Sequence, residues 1–203
     1  MGLISNGTTI FDAGSLDSSL AKGAMTFIKK LTASSSATLS FVNGSSGVVL
    51  DSTYKEYLFT FKDIHPSADN ADLQFNGSDD TSSHSYNITK TTTNFRAYHF
   101  ENDAAAAIQY QTSNDLAQST GFQNFFGDDG VGNDNDQCAV GYMHLFNPSS
   151  TTFVKHFTAV TNMAHTSDLS VQNFMAGYFN TTAAITAIQF KFDTGNIDAG
   201  TIT

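Results

Sequence analysis

Short runs in which apolar and polar residues alternate one by one constrain this chain more than any other feature. Tyr57, Phe59 and Phe61 fall on one side of such a run, with Thr60 and Lys62 on the other. Ile188, Phe190 and Phe192 repeat the pattern against Gln189 and Lys191. A period of two is the repeat of a strand with one face buried, and it does not suit a helix. Between the runs lie turn residues that tolerate positive φ, such as Asn43-Gly44, Ser46-Gly47 and Asp193-Thr194-Gly195-Asn196. The 18 phenylalanines and seven tyrosines suit a pleated, half-buried surface.

Reading along the chain, residues 1–23 form an irregular arm in which Gly2, Gly7, Gly14 and Gly23 punctuate Leu3-Ile4 and Ile10-Phe11. An arm of that kind makes no core of its own. It packs on the domain or anchors on a neighbour, with Leu3, Ile4, Ile10 and Phe11 as the partner-binding residues. Residues 24–203 form one domain. Strands are expected at 25–31 and 37–42, joined as a hairpin by the polar loop 32–36. Further strands are expected at 54–64, ended by His65-Pro66, and at 71–75, followed by a turn at 76–80. The series continues at 94–101, from near Ala107, and at 139–146, 152–160, 173–180 and 185–192. Ile197 to Ile202 begins one more strand, cut short by the end of the sequence. Nine to eleven short strands with no secure helix predict an all-β fold: an antiparallel β-sandwich of jelly-roll type, with a closed barrel as the alternative.

Composition narrows the chemistry. Charged residues make up 14% of the chain, against roughly 25% in an average domain. Ser, Thr and Asn supply 63 of 203 residues, so neutral polar groups carry solubility. The net charge of −10 and the scatter of nine basic residues argue against nucleic acid as a partner. No apolar run reaches the length of a membrane-spanning helix, and the N-terminus lacks the basic-then-apolar pattern of a secretory signal. The single cysteine, Cys138, forms no intrachain disulfide.

Candidate sites are few. The stretch Gly127 to Gln137 concentrates hard oxygen donors, and Asp128, Asp129, Asp134 and Asp136 are the residues a calcium ion would use. The loop lacks the glutamate that an EF-hand needs at its twelfth position, so a solvated acidic loop with no cofactor is the simpler reading. Among the histidines, His144 and His156 sit near the centres of strands that can be neighbours, without a third ligand. Glu56 and Glu101 are the only glutamates, with Asp63, Asp69 and Asp103 as possible partners, and nothing in their spacing requires a catalytic pair. Tyr98, Tyr110, Tyr142 and Tyr178 could stack on a sugar or a protein if they face solvent.

The stretch Leu145-Phe146-Asn147-Pro148-Ser149-Ser150-Thr151-Thr152-Phe153-Val154-Lys155-His156-Phe157 resembles a motif of uncharacterised virion structural proteins from marine tailed phages, of the cyanophage and pelagiphage kind. Two further stretches are similar to the same family: Ala176-Gly177-Tyr178-Phe179-Asn180-Thr181-Thr182-Ala183-Ala184-Ile185 and Gly195-Asn196-Ile197-Asp198-Ala199-Gly200-Thr201-Ile202. The resemblance covers about residues 50–202 and leaves the arm outside. It implies a non-enzymatic protein made in the host cytoplasm and carried on the virion exterior, as a capsid decoration or fibre subunit. Its partners would be other virion proteins of the capsid or tail, and copies of itself, a trimer being the expected homo-oligomer. The other role it leaves open is a tail module that recognises host surface glycan. It supplies no catalytic or ligand residues. Within the opening motif, Pro148 is expected to set a turn, Phe153 and Phe157 to pack the core, and Lys155 and His156 to point to opposite faces.

Overall fold

The computed structural model describes residues 2–12, 15–16, 25–127 and 130–203. Among these there is no helix. The strands in chain order are β1 Leu3–Ser5, β2 Thr8–Asp12, β3 Ser15–Leu16, β4 Leu31–Thr32 and β5 Leu39–Val42. They continue with β6 Glu56–Pro66, β7 Leu73–Ser78, β8 Lys90–Phe100, β9 Ala106–Tyr110 and β10 Gln123–Asn124. The last five are β11 Ala139–Phe146, β12 Lys155–His165, β13 Leu169–Phe179, β14 Ala187–Phe192 and β15 Ile197–Ile202.

Two antiparallel sheets make the sandwich. The larger runs β4-β15-β6-β11-β12-β13-β8-β9 and the smaller β10-β7-β14-β5. This is the jelly-roll order. In that fold the first, eighth, third and sixth strands share one sheet, and the second, seventh, fourth and fifth share the other. Counting from β5, the smaller sheet matches the first set, with β14 as the eighth strand. The larger sheet matches the second set if the three-stranded meander β11-β12-β13 stands where a single seventh strand would be. β15 and β4 extend the larger sheet beyond β6.

The core lies between the sheets and is built from phenylalanine. Phe190 on β14 contacts Phe41, Phe59, Phe61, Phe75 and Phe125 at centroid distances of 5.3 to 6.5 Å. Phe75 also meets Phe157 and Phe179 edge-on at 5.1 and 6.1 Å. The edge-to-face pairs Phe190–Phe61, Phe75–Phe157 and Phe75–Phe179 cross from one sheet to the other and are favoured over parallel sandwiches by the ring quadrupole.

Several expectations need correcting. Residues 25–30 belong to no strand, and the hairpin expected across 32–36 does not form. β4 pairs with β15, while β5 pairs with β14 in the other sheet. The turn expected at 76–80 starts later, because Asn76, Gly77 and Ser78 complete β7 and are buried. β6 continues through His65 and Pro66. Pro66 is tolerated as its last residue, where the ladder needs no further donor. β12 starts at Lys155, so Phe153 lies outside it and is 69% exposed, whereas Phe157 is fully buried. Lys155 and His156 do take opposite faces. The arm is not irregular where it is described: β1, β2 and β3 form a small antiparallel sheet of their own, turned at Asn6-Gly7 with positive φ at both.

One irregularity shapes the large sheet. Between Phe61 and Ile64 β6 carries an extra residue relative to both neighbours, and Asp63 takes a φ of 52°. This bulge returns Ile64 to the core after Lys62 and Asp63 have faced outward. β15 passes the bulge closely at Gly200, whose φ is 109° and where a Cβ would lie 2.4 Å from the Asp63 carbonyl oxygen. Gly200→Ala should therefore lower stability in urea by about 2 kcal/mol or more. Gly44→Ala, at a φ of 78° with open space around it, should cost only about 1 kcal/mol of backbone strain. Equal losses would remove the close approach as the cause.

Candidate binding face

The register of the large sheet places a row of rings across its outer face. Tyr110 on β9 pairs with Phe95 on β8, which pairs with Phe174 on β13. Phe174 pairs with Val160 on β12, which pairs with Tyr142 on β11. With strands about 4.8 Å apart, the row is about 19 Å long. Tyr110, Phe95 and Tyr142 are 58%, 45% and 42% exposed. Phe95 and Phe174 stack at 4.9 Å with an interplanar angle of 11°. The Tyr110 hydroxyl donates to the Asp115 carboxylate and lies near the Thr93 hydroxyl, which holds the ring in place.

Neutral side chains flank the row. On one side the register gives Ile108, Ala97, Gln172, Asn162 and Val140. On the other it gives Thr93, Ala176, Thr158, His144 and Leu58. None of these is Asp, Glu, Lys or Arg, in a chain of net charge −10. Depletion of charge with enrichment of aromatic residues is the composition of an interface centre. Of the four tyrosines singled out in the sequence, Tyr110 and Tyr142 are in this row. Tyr178 shares the face outside the row, half-buried beside His156, and Tyr98 points inward beneath the Arg96 guanidinium.

The other candidates are dispersed. His144 bonds the Glu56 carboxylate at one end of the face. His156 does not join it, lying against Tyr178 instead. Asp103 accepts from His99 at 2.9 Å on an exposed turn. Asp69 is held below the usual carboxylate range by the Thr166 hydroxyl, with a smaller contribution from the Asn133 amide. Asp134 and Asp136 are exposed, while Asp128 and Asp129 lie outside the described residues. Among the described residues no three His, Cys, Asp or Glu side chains gather as metal ligands. The arm residues Leu3, Ile4 and Phe11 are exposed at 63%, 60% and 44%, and Ile10 is partly buried. No family model, curated protein or solved structure matches the chain.

Sequence patterns gave no warning of two buried lysines. Lys90 and Lys155 flank Phe179 in register on the inner face, and both are fully buried. Lys90 donates to the carbonyls of Ile88 and Gly121, and its ammonium lies 5.9 Å from the Phe179 ring centroid. Burial pulls its pKa down to about 7 from 10.5. Lys155 donates to the Thr181 carbonyl and is also lowered by burial, with Asp79 opposing the shift. Such shifts mark reactive amines when a substrate can reach them, but the full burial of Lys90 makes it a structural tie between β8 and the 119–123 segment.

Linkage fixes the sign of the pH dependence. Between about pH 7 and 10.5 the unfolded chain holds a proton that folded Lys90 has lost, so stability rises with pH in that window. Urea denaturation from pH 7 to 9 should show this rise, and Lys90→Met should flatten it. An unchanged slope in Lys90→Met would assign the dependence to other groups.

Proposed function

We propose that the chain is a non-enzymatic structural protein of a tailed-phage virion, carried on the particle exterior as a capsid decoration or fibre subunit. The reading is supported by the resemblance over about residues 50–202. The observation that carries it is the aromatic row on the outer face of the large sheet: neither the row nor its two flanking rows contain Asp, Glu, Lys or Arg. A face of that kind serves contact with another surface. The arm, with Leu3, Ile4 and Phe11 exposed, is the anchoring segment in this reading, and the sandwich projects from it.

A second reading, a tail module that binds host surface glycan, is favoured by the same row, because rings bordered by Gln172, Asn162 and Thr158 combine stacking surfaces with neutral hydrogen-bonding groups. The two separate experimentally. Quantitative mass spectrometry of purified particles should find the protein in large copy number. Deleting residues 1–23 should leave the domain folded and lower its incorporation by about tenfold or more. Unchanged incorporation would defeat the anchoring role. Specific capture on a glycan array, abolished by Tyr110→Ala with Tyr142→Ala, would favour the tail role instead.

A further inference from the structure

Five strands of the large sheet carry the ring row, and β13 is the middle one, with β8 and β12 beside it and β9 and β11 beyond them. The exposed large apolar side chains of the outer face are Ile108 and Tyr110 on β9, Phe95 on β8, and Val140 and Tyr142 on β11. Ile108, at 78%, is the most exposed large apolar residue among the described residues. The register puts Ile108 and Val140 in one row across the sheet, and Tyr110 and Tyr142 in the next. Exchange β9 with β11 and β8 with β12, and these residues fall on one another. Ile108 lands on Val140, Tyr110 on Tyr142 and Phe95 on Val160, while Gln172, Phe174 and Ala176 of β13 land on themselves.

A two-fold axis along β13 performs this exchange between two molecules. Two identical faces meet only about an axis in the plane between them, because the rotation has to reverse the outward direction of the face. Packed sheets lie about 10 Å apart with their strands within about 30° of one another. About such an axis β9 of one copy covers β11 of the other. Every exposed large apolar residue of the face then meets an apolar side chain. The projecting Phe95 ring lies over the smaller Val160, and the two Gln172 amides face each other across the axis, each with a donor and an acceptor for the other. The angle between the sheets shifts the ends of the row along the strands by about 5 Å and leaves the strand correspondence unchanged.

We propose that the outer face of the large sheet joins two copies of this chain, packed sheet on sheet about a two-fold axis along β13. This rests on the reading of the face as a contact surface, and not on the virion role. Charge selects the partner. Copies of a chain of net charge −10 repel one another, yet neither the ring row nor its two flanking rows contain a charged residue. Of the carboxylates at the two ends of the face, Glu56 is on β6, outside the five overlapping strands. A partner recognised by charge needs the opposite arrangement. The area suffices: five strands over about seven residues each span about 24 by 24 Å, or about 1,150 Å² over both copies, against roughly 1,000 Å² for a specific interface. A sugar is served less well, because Phe95 and Phe174 each cover one face of the other, and sugars stack on open ring faces. The contact makes pairs, so threefold association needs another surface.

The test is analytical ultracentrifugation of the full chain, followed by cross-linking with a short bismaleimide in a Cys138→Ser background. At about 100 μM the chain should sediment as a dimer. Phe95→Glu, at an exposed position, should weaken the dimer by about a hundredfold and leave the urea midpoint unchanged. Ile108→Cys combined with Val140→Cys should link two copies, since the two positions lie about 19 Å apart within one chain and about 10 Å apart across the axis. Neither single variant should link, because each position is at least about 19 Å from its own counterpart. A monomer at this concentration, with or without capture of a glycan, overturns the proposal. So does an oligomer that Phe95→Glu leaves intact, or equal linking in the single variants. A monomer that is found in purified particles overturns the second copy and leaves the virion reading standing, and a dimer absent from particles does the reverse.

Discussion

The sandwich depends on Phe190. Its ring is the common neighbour of phenylalanines from β5, β6, β7 and the segment after β10. Without that contact the four-stranded sheet has only short strands, β5 and β10 among them, with which to hold the larger one. Burying an aromatic side chain contributes a few kcal/mol through apolar area, and each edge-to-face pair adds about 1 kcal/mol. Rings from both sheets share one cluster, so the loss of any member is felt across the interface. The rest of the architecture is arranged around this centre, including the bulge at Asp63 that brings Ile64 back to the same side as Phe61.

The unequal size of the two sheets decides what is left for function. A jelly roll with a single strand where β11-β12-β13 stand would pair its sheets nearly one to one. The meander widens one sheet without widening the other. The inner face then outgrows its partner, and polar residues appear there: Asn94 and Asn173 are buried on β8 and β13, with Thr161 beside them on β12. The outer face grows as well, and it is there that the register lines up four rings and Val160 from five strands.

Much of the fold was legible in the sequence, because strands with one buried face announce themselves by period. The segments at 139–146 and 197–202 were placed to the residue. The period fails where burial is two-sided or absent. Asn76 and Ser78 read as turn residues yet are buried in β7, since a central strand of the small sheet is covered on both faces. Residues 25–30 fall within the strand expected at 25–31, but a strand needs a neighbour to bond, and pairing is a property of the whole sheet. The aromatic row was illegible for the same reason. Phe95, Tyr110, Tyr142 and Phe174 are far apart in sequence, and only the register brings them into line. The tyrosines alone gave a partial hint, correct for Tyr110 and Tyr142.

The distribution of charge connects the fold to its use. Acidic residues gather at strand ends and loops, as at Asp79-Asp80, Asp134, Asp136, Asp168 and Asp193. Asp80 shows that such residues also order the loops: its carboxylate accepts from the Ser82 amide, and the Ser85 hydroxyl, followed by the amides of Ser85, His84 and Ser83, holds it well below the usual carboxylate range. The middle of the broad face of the large sheet is spared this charge, with the Asp115 and Glu56 carboxylates at its two ends. Repulsion between like-charged molecules is therefore weakest along the middle of that face, where a neutral or apolar surface meets no carboxylate. Charge is therefore concentrated at the ends of the sandwich, and exposed rings along its side.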